Sequence, residues 1–422
     1  MLDIRDYVQQ DYSMTAPRIL LADADAFFVG VARMIDPEGA GKSPLLIVGG
    51  SRESRGVVCS ASYETRKFGV RSAMPIARAL RLCPDAMCVP VPMKACGTKS
   101  REIRKTLELF APVVEGASID EWYLDMGGTE GVYHDEHISV TAHRMRDAVH
   151  RDTGLTISIG GGTNKLIAKL AVERAKPKPD SGANGVHMVE PGSEEAFLRT
   201  FSLAEIPLIG PKFQERLSGL GMTTVLDVLQ YNLPTLQSWL GKREAEWLWD
   251  RVHGIGNAVV DSGGEAKSMS REETFAVDID DDKELQRELL ALLTRVASDL
   301  RSDGLAARTI TVKIRDNDFR TRSARRTLVE PIVADRVMLR VARELLAKLR
   351  SGRRVPARLI GVALSSLGQD PEAEQLKLFE SASDTDSETE RDRTLAQAVD
   401  RVRERFGPRS ILPASLADDG TE

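Results

Sequence analysis

Residues 18–28 read Arg-Ile-Leu-Leu-Ala-Asp-Ala-Asp-Ala-Phe-Phe, a short apolar run that closes on two acids. An apolar run of this length, bounded by polar residues, reads as a buried strand. The pattern predicts a strand over 18–24, with Asp23 and Asp25 at its C-terminal end, on opposite faces or rolled into the following turn. Residues 44–50 (PLLIVGG) and 56–61 (GVVCSA) read as two more strands with glycine stops. Residues 71–82 have helical spacing at Ile76, Ala79 and Leu80, ended by Pro84. Residues 100–110 continue as a helix with Ile103, Leu107 and Phe110 on one face. Residues 117–125 (ASIDEWYLD) and 155–159 (LTISI) are strand-like, with helices in the intervals. The result is an α+β domain.

Past residue 176 the texture changes to short helices and glycine turns, and residues 261–267 (DSGGEAK) form a linker by composition. Residues 270–279, 285–300, 309–315, 320–329, 336–349 and 358–364 then alternate as strand, helix, strand, strand, helix, strand. That order is the split βαβ, or ferredoxin-like, arrangement. Within 309–315 the period of two is clean: Ile310, Val312 and Ile314 face one way, and Thr311, Lys313 and Arg315 the other. Residues 381–390 (SASDTDSETE) have almost nothing to bury and are expected to be disordered. Residues 398–407 have helical spacing. No internal repeat is visible.

The chain has 422 residues, enough for two to four domains. With 42% hydrophobic and 29% charged residues it is neither fibrous nor wholly disordered. It has no apolar run long enough for a transmembrane helix, and no signal peptide is visible. Cys59, Cys83, Cys88 and Cys96 lack metal-site spacing and read as free thiols in a reducing, cytosolic compartment. The net charge of −5 hides a segregation. Residues 301–360 carry 16 Lys+Arg against 6 Asp+Glu, a local +10, whereas residues 370–390 carry 8 Asp+Glu against one Lys, a local −7. A basic, half-buried sheet with a Thr/Lys/Arg outer face suits phosphate, although a solvated surface has the same composition.

Asp23 and Asp25 end the first strand, and Asp120 and Glu121 lie in a second strand about a hundred residues later. Carboxylates that converge from distant strand ends can hold Mg²⁺, a hard cation that takes oxygen ligands and substrate phosphates. Two such ions can activate an attacking oxygen and stabilise a leaving one. Acids beside strands are also ordinary turn residues.

The segments 23–28 (DADAFF), 63–75 (YETRKFGVRSAMP) and 117–125 (ASIDEWYLD), in this order and spacing, resemble the signatures of Y-family lesion-bypass DNA polymerases. The likeness extends from about residue 18 to residue 379. It implies an α+β multidomain right-hand fold: a ferredoxin-like palm (1–26 and 93–177), small fingers (27–92) and a helical thumb with a helix-hairpin-helix (178–256). A linker (257–267), a ferredoxin-like βαββαβ little finger (268–366) and a mostly disordered tail (367–422) would complete it.

The resemblance implies that Asp23, Asp120 and Glu121, with the backbone carbonyl of Ala24, ligate two Mg²⁺ ions, Mn²⁺ being able to substitute. Asp25 is read as structural. Tyr63, Arg66 and Lys169 match residues that hold the incoming dNTP, with Phe27 and Phe28 beneath its sugar. Phe28 matches the bulky gate against a ribose 2′-hydroxyl, while Phe27 also reads as an ordinary core aromatic. Residues 206–221 look like the helix-hairpin-helix, which puts Gly210 and Lys212 against primer-template DNA, and Lys313, Arg315, Arg320, Arg322 and Arg325 would meet phosphates from the little finger. Gln375, Leu376, Leu378 and Phe379 resemble a sliding-clamp peptide. The implied protein is monomeric, cytoplasmic and nucleoid-associated, without membrane contact, and makes DNA with low processivity and low fidelity in damage tolerance.

Three positions depart from the family pattern: Leu208 stands where the hairpin's first glycine is usual, Cys96 where Tyr is frequent, and Ala26 where a larger residue is frequent. Gly41-Lys42-Ser43 lacks the upstream glycine of a P-loop, and Asp36 stands there. Residues 160–165 (GGGTNK) fit no nucleotide fingerprint, and both segments read as turns. A catalytically inactive adaptor that binds DNA and clamp would have lost the carboxylates, which are present here. A nucleotidyl cyclase would have no use for the hairpin, the basic sheet or the clamp peptide.

Overall fold

A computed structural model describes residues 18–52, 55–177, 182–264, 266–369, 387–407 and 409–417. The chain divides after Gly264 into two compact units.

The first unit opens with β1 (Ile19–Ala24), buried along its whole length, followed by α1 (Phe27–Ile35). A small layer comes next: β2 (Leu46–Gly49), β3 (Val58–Ala61), α2 (Tyr63–Arg66), α3 (Ile76–Leu82) and β4 (Met87–Val89), with strand order β3-β2-β4. The helix expected over 71–82 is confined to α3, because residues 71–75 carry the Val57–Pro75 bridge and its turn instead. Then come α4 (Met93–Leu107), β5 (Val113–Gly116), β6 (Glu121–Asp125), α5 (Ile138–Thr153), β7 (Ile157–Gly162), α6 (Lys165–Ala175) and β8 (Val186–Met188).

The main sheet has the order β5-β6-β1-β7-β8, antiparallel except for β7 with β8. One face, with Leu20, Ala22, Trp122 and Leu124, packs on α4 and α5. Ile19 and Leu21 of the other face meet Ala168 and Val172 of α6. Helix α1 serves two cores: Phe27 and Val31 join the main-sheet core, while Val29 and Ala32 join Leu46 and Val48.

The glycine run over 160–162 is strand, not turn, and it is glycine because α6 crosses it at backbone distance. A Cβ on Gly160 would lie 2.0 Å from the Val172 nitrogen and 2.5 Å from the Ala168 carbonyl oxygen. The run also pairs with β8, so the main sheet extends past the expected boundary at residue 177.

Five short helices follow: α7 (Glu194–Leu198), α8 (Pro211–Gly219), α9 (Val225–Leu229), α10 (Leu233–Leu240) and α11 (Lys242–Val252). They share a core with Leu166, Ile167 and Leu170 of α6. The expected linker is tied down in its first half, where the Lys165 N–H donates to Asn257 O (2.9 Å) and the Asp261 N–H to Glu115 Oε2 (2.7 Å).

The second unit runs β9 (Ser268–Ile279), α12 (Asp282–Ser302), β10 (Leu305–Asp316), β11 (Thr321–Ile332), α13 (Asp335–Gly352) and β12 (Ala357–Gln369). The sheet order is β11-β10-β12-β9, all neighbours antiparallel. Each βαβ pair is therefore parallel with one strand between, so two split βαβ units interleave. Ile310, Val312 and Ile314 are fully buried beneath α12 and α13, as the alternation predicts.

In the tail expected to be mostly disordered, the helical spacing read over 398–407 belongs to a helix that begins earlier, at Glu390. Helix α14 (Glu390–Phe406) buries Asp392 and Ala396 and is tied to this unit by ion pairs and hydrogen bonds. Glu388 Oε2 accepts from the Val333 and Ala334 N–H groups at the start of α13 (2.9 and 2.8 Å), and Asp400 pairs with Arg301 (2.6 Å). The expected clamp peptide, 375–379, lies outside the described residues.

Candidate active site and nucleic-acid interface

Asp23 and Glu121 face each other as cross-strand partners at the end of the β1–β6 ladder. Asp120 is not in the strand, contrary to expectation. It occupies the tight turn just before β6, where its carbonyl oxygen accepts from the Ala24 N–H (2.9 Å) and its carboxylate from Ser118 Oγ (2.5 Å). The three carboxylates thus share one end of two paired strands. Among the described residues, no three acidic, histidine or cysteine side chains already surround a common point.

Two of the three carboxylates at this end are instead paired with lysines. Helix α6, brought against the sheet by the glycine strand, delivers Lys169 Nζ to 2.6 Å from Glu121 Oε1 and 3.7 Å from Asp23 Oδ2. Lys176, one residue past the helix, places its Nζ 2.9 Å from Asp23 Oδ2. Asp23 is 6% exposed, and burial pushes its carboxyl up to about 6 against the opposing pull of Lys176 and Lys169. Lys176 itself is raised: Asp23 and Glu173 outweigh the desolvation that would lower it. Sequence reading found Lys169 but missed Lys176, whose setting of alternating Lys and Pro looked only like a boundary.

Asp25 is held apart from this group, with Ser158 Oγ donating to its Oδ1 (2.8 Å) and its own N–H donating to Thr156 O (2.9 Å). Tyr63 and Arg66 sit on α2, with the guanidinium 5.3 Å from the phenol centroid. Arg66 Nε donates to Ala61 O (2.9 Å), which fixes the stem and leaves the outer nitrogens of the fork. The Tyr63 hydroxyl is pushed above its ordinary value by burial first and by Asp25 second, so the phenol lies within electrostatic reach of the carboxylates. Phe27 is 2% exposed and belongs to the core, which removes its ring from the expected nucleotide pocket. Phe28 remains half-buried, edge-on to Phe27 with centroids 5.4 Å apart. Cys96 is fully buried in α4, and Ala26 takes a left-handed conformation (φ 45°) at the start of α1.

The segment before α8 turns sharply at the leucine that stands in place of the usual glycine. Ile206 and Ile209 are buried, Leu208 between them adopts φ 72°, and the Ile209 N–H donates to Ile206 O (3.2 Å). Gly210 is the N-cap of α8 without any side-chain acceptor, and Lys212 is exposed in its first turn.

The basic sheet splits by face. Lys313 and Arg315 pair across β10–β11 with Ser323 and Thr321, and Thr311 pairs with Arg325, which places Lys313, Arg315 and Arg325 on the open face. Lys313 also contacts Glu272 of β9 there. Arg322 pairs with Ile314 and so lies on the helix side, which corrects its expected place at phosphate. It is bound to the fully buried Asp316 (2.7 Å), which Arg353 also contacts. Burial would raise Asp316, but these two guanidiniums hold it below its ordinary value. Arg320 is exposed in the turn before β11.

Comparison with known proteins gives concordant results. Residues 22–173 match the impB/mucB/samB family, and residues 266–378 match the impB/mucB/samB family C-terminal domain. The chain is 34% identical to DNA polymerase IV of Dehalococcoides mccartyi strain CBDB1 over 94% of its own length and 97% of that protein. It is 36% identical to DNA polymerase IV of Halorhodospira halophila over 87% of its length and 99% of that protein. A Y-family DNA polymerase chimera of Dbh and Dpo4 superposes with a TM-score of 0.73 at 27% identity, covering 84% of this chain and all of the other. DinB from Sulfolobus solfataricus superposes with a TM-score of 0.56 at 28% identity, covering 82% and 98%.

Proposed function

The chain belongs to the Y family of DNA polymerases and is similar throughout to bacterial DNA polymerase IV, and from that premise we propose how its own residues carry template-directed synthesis. It is a DNA-directed DNA polymerase of the translesion type. The observation that carries the mechanism is Asp23 opposite Glu121, with Asp120 tied to the same strand end.

The donors at this end are hard oxygens gathered at one strand end, where burial raises the Asp23 carboxyl even against the pull of Lys176 and Lys169. Asp23, Asp120, Glu121 and the Ala24 carbonyl fit two divalent cations, Mg²⁺ or in its place Mn²⁺. Such ions acidify a primer 3′-hydroxyl and neutralise a triphosphate during in-line attack. Lys169 and Lys176, which balance the carboxylates here, are placed to turn to the dNTP phosphates. Arg66 offers its outer fork to the same phosphates, with Tyr63 beside it. Phe28 closes the floor beneath the sugar and excludes a 2′-hydroxyl.

The main sheet with α4–α6 acts as palm, the layer of β2–β4 as fingers, the helices α7–α11 as thumb and the second unit as little finger. The hairpin at Gly210 and Lys212 and the open face with Lys313, Arg315 and Arg325 hold primer-template DNA by its phosphates, which positions the duplex without reading it. Arg320 adds to that charge. Gln375, Leu376, Leu378 and Phe379 form the clamp-docking peptide of a monomeric, cytoplasmic, nucleoid-associated enzyme of low processivity and low fidelity that serves damage tolerance. Primer extension on an undamaged template with Mg²⁺ tests the assignment. The intact protein is expected to extend and Asp120→Asn not to; equal extension by both overturns the metal site.

A further inference from the structure

We infer that Leu208 is a duplex-contacting residue of the thumb hairpin, its side chain packing on a deoxyribose beside the phosphate held by the start of α8. The inference rests on the reading above that this hairpin meets DNA.

The backbone is the first observation. Leu208 holds φ 72°, a left-handed conformation that is routine for glycine and costly for a side chain with a Cβ. The neighbours enforce it: Ile206 and Ile209 are 2% and 3% exposed in the helical core, so the chain between them has to turn sharply. The second observation is that the free protein recovers nothing for this strain. Leu208 is 79% exposed, among the most exposed large apolar side chains described. The buried flanks prevent it from folding inward. Glycine would meet the turn that the fold requires without this cost, so a leucine kept there and left exposed points to a contact outside the fold.

The surroundings define that ligand. Pro211 opens α8 without an N–H, and the Phe213 N–H already donates to Gly210 O (3.0 Å). The Lys212 N–H is therefore the first-turn donor left without an acceptor among the described residues. Gly210 offers no side-chain cap, and the Lys212 side chain stands exposed beside it. An anion fits this point. The apolar isobutyl group two residues before Gly210 asks for an apolar surface directly beside that anion. A polynucleotide backbone, with sugar between successive phosphates, has that alternation. A free phosphate does not.

The test measures primer-template affinity and thermal unfolding for the intact protein, Leu208→Ala and Leu208→Gly at several salt concentrations. Both variants are expected to bind about three- to tenfold more weakly, as for partial loss of one leucine's burial. The log–log salt slope should stay unchanged because every ionic group remains in place. Leu208→Gly should unfold at a higher temperature than the intact protein, which separates a weaker interface from a weaker fold. Variants that bind as tightly as the intact protein, or more tightly, overturn the inference while leaving the polymerase reading in place. An intact protein that neither binds nor extends the primer-template overturns both.

Discussion

Lys169 and Glu121 are joined at 2.6 Å across the gap between α6 and β6. The contact exists because Gly160 lets α6 lie against the sheet, where any Cβ would strike the Val172 nitrogen. A lysine from a helix and a carboxylate from a strand therefore neutralise each other at the point where the triphosphate chemistry is proposed.

Replacing the carboxylates tests that proposal most directly. Asp120→Asn and Glu121→Gln each remove a charge from the cation site while every lysine and arginine proposed to meet phosphate is retained, although Glu121→Gln also releases Lys169 from its ion pair. Insertion should fall by about 100-fold or more, as for loss of preorganised electrostatic stabilisation. Primer-template affinity should change little. Near-normal extension by both variants would rule the assignment out.

Phe28 is the half-buried ring edge-on to the buried Phe27. Truncating it to alanine removes the ring proposed to lie beneath the sugar and gives up its edge contact with Phe27, which stays buried in the main-sheet core. The ratio of dNTP to rNTP insertion efficiency should drop by about tenfold or more, the scale of a steric contact worth about 1–3 kcal/mol. A ratio that does not move places the gate elsewhere.

The two faces of the basic sheet should respond differently. Lys313→Ala with Arg315→Ala should lower the magnitude of the log–log salt slope of DNA binding by about 0.9 for each phosphate that is no longer neutralised. The weakening should be nearly uniform across DNA sequences. An unaltered slope would mean the open face looks only at solvent.

Arg322→Ala should instead destabilise the second unit, by about 2–3 kcal/mol, because Asp316 is fully buried and is left with one of its two guanidiniums. Asp316 titrates below its ordinary 3.8 in the folded protein. Its contribution to stability is therefore present above 3.8 and lost as pH falls through the lower folded value. Thermal unfolding across acidic pH should show the intact protein losing this increment and Arg322→Ala having less of it to lose. Equal unfolding curves for both proteins would refute the role.

Asp400→Ala should loosen α14. It leaves Arg301, whose side chain is 8% exposed, with Asp335 and the Val333 carbonyl alone. A loss of about 1–2 kcal/mol is expected from a charged hydrogen bond of this kind. Limited proteolysis that cuts between residues 387 and 407 faster in the variant would accompany it. Identical cleavage of both proteins would show that α14 is held by other contacts.

Some of this was decided along the chain itself. The period of two in residues 309–315 put Ile310, Val312 and Ile314 inside, because successive strand residues face opposite ways wherever the strand lies. The order of strand and helix in the second unit, the strand that ends at Asp23 and the three signature segments were legible for the same reason: each depends on neighbours a few residues apart. What needed the tertiary structure depends on partners far away in sequence. The side of the sheet on which Arg322 falls is set by the β10–β11 register and by a buried Asp316, not by its own neighbourhood. The glycines at 160–162 looked like a turn because the helix that demands them lies across the sheet. Lys176 looked like a boundary residue because Asp23, its partner, is 153 positions earlier. The left-handed leucine at 208 follows from two isoleucines that must both reach one core, and α14 is ordered by ion pairs to Arg301 and Arg336 that no local pattern announces. Local periodicity chose the elements; long-range packing and charge pairing chose which side chains reach the site.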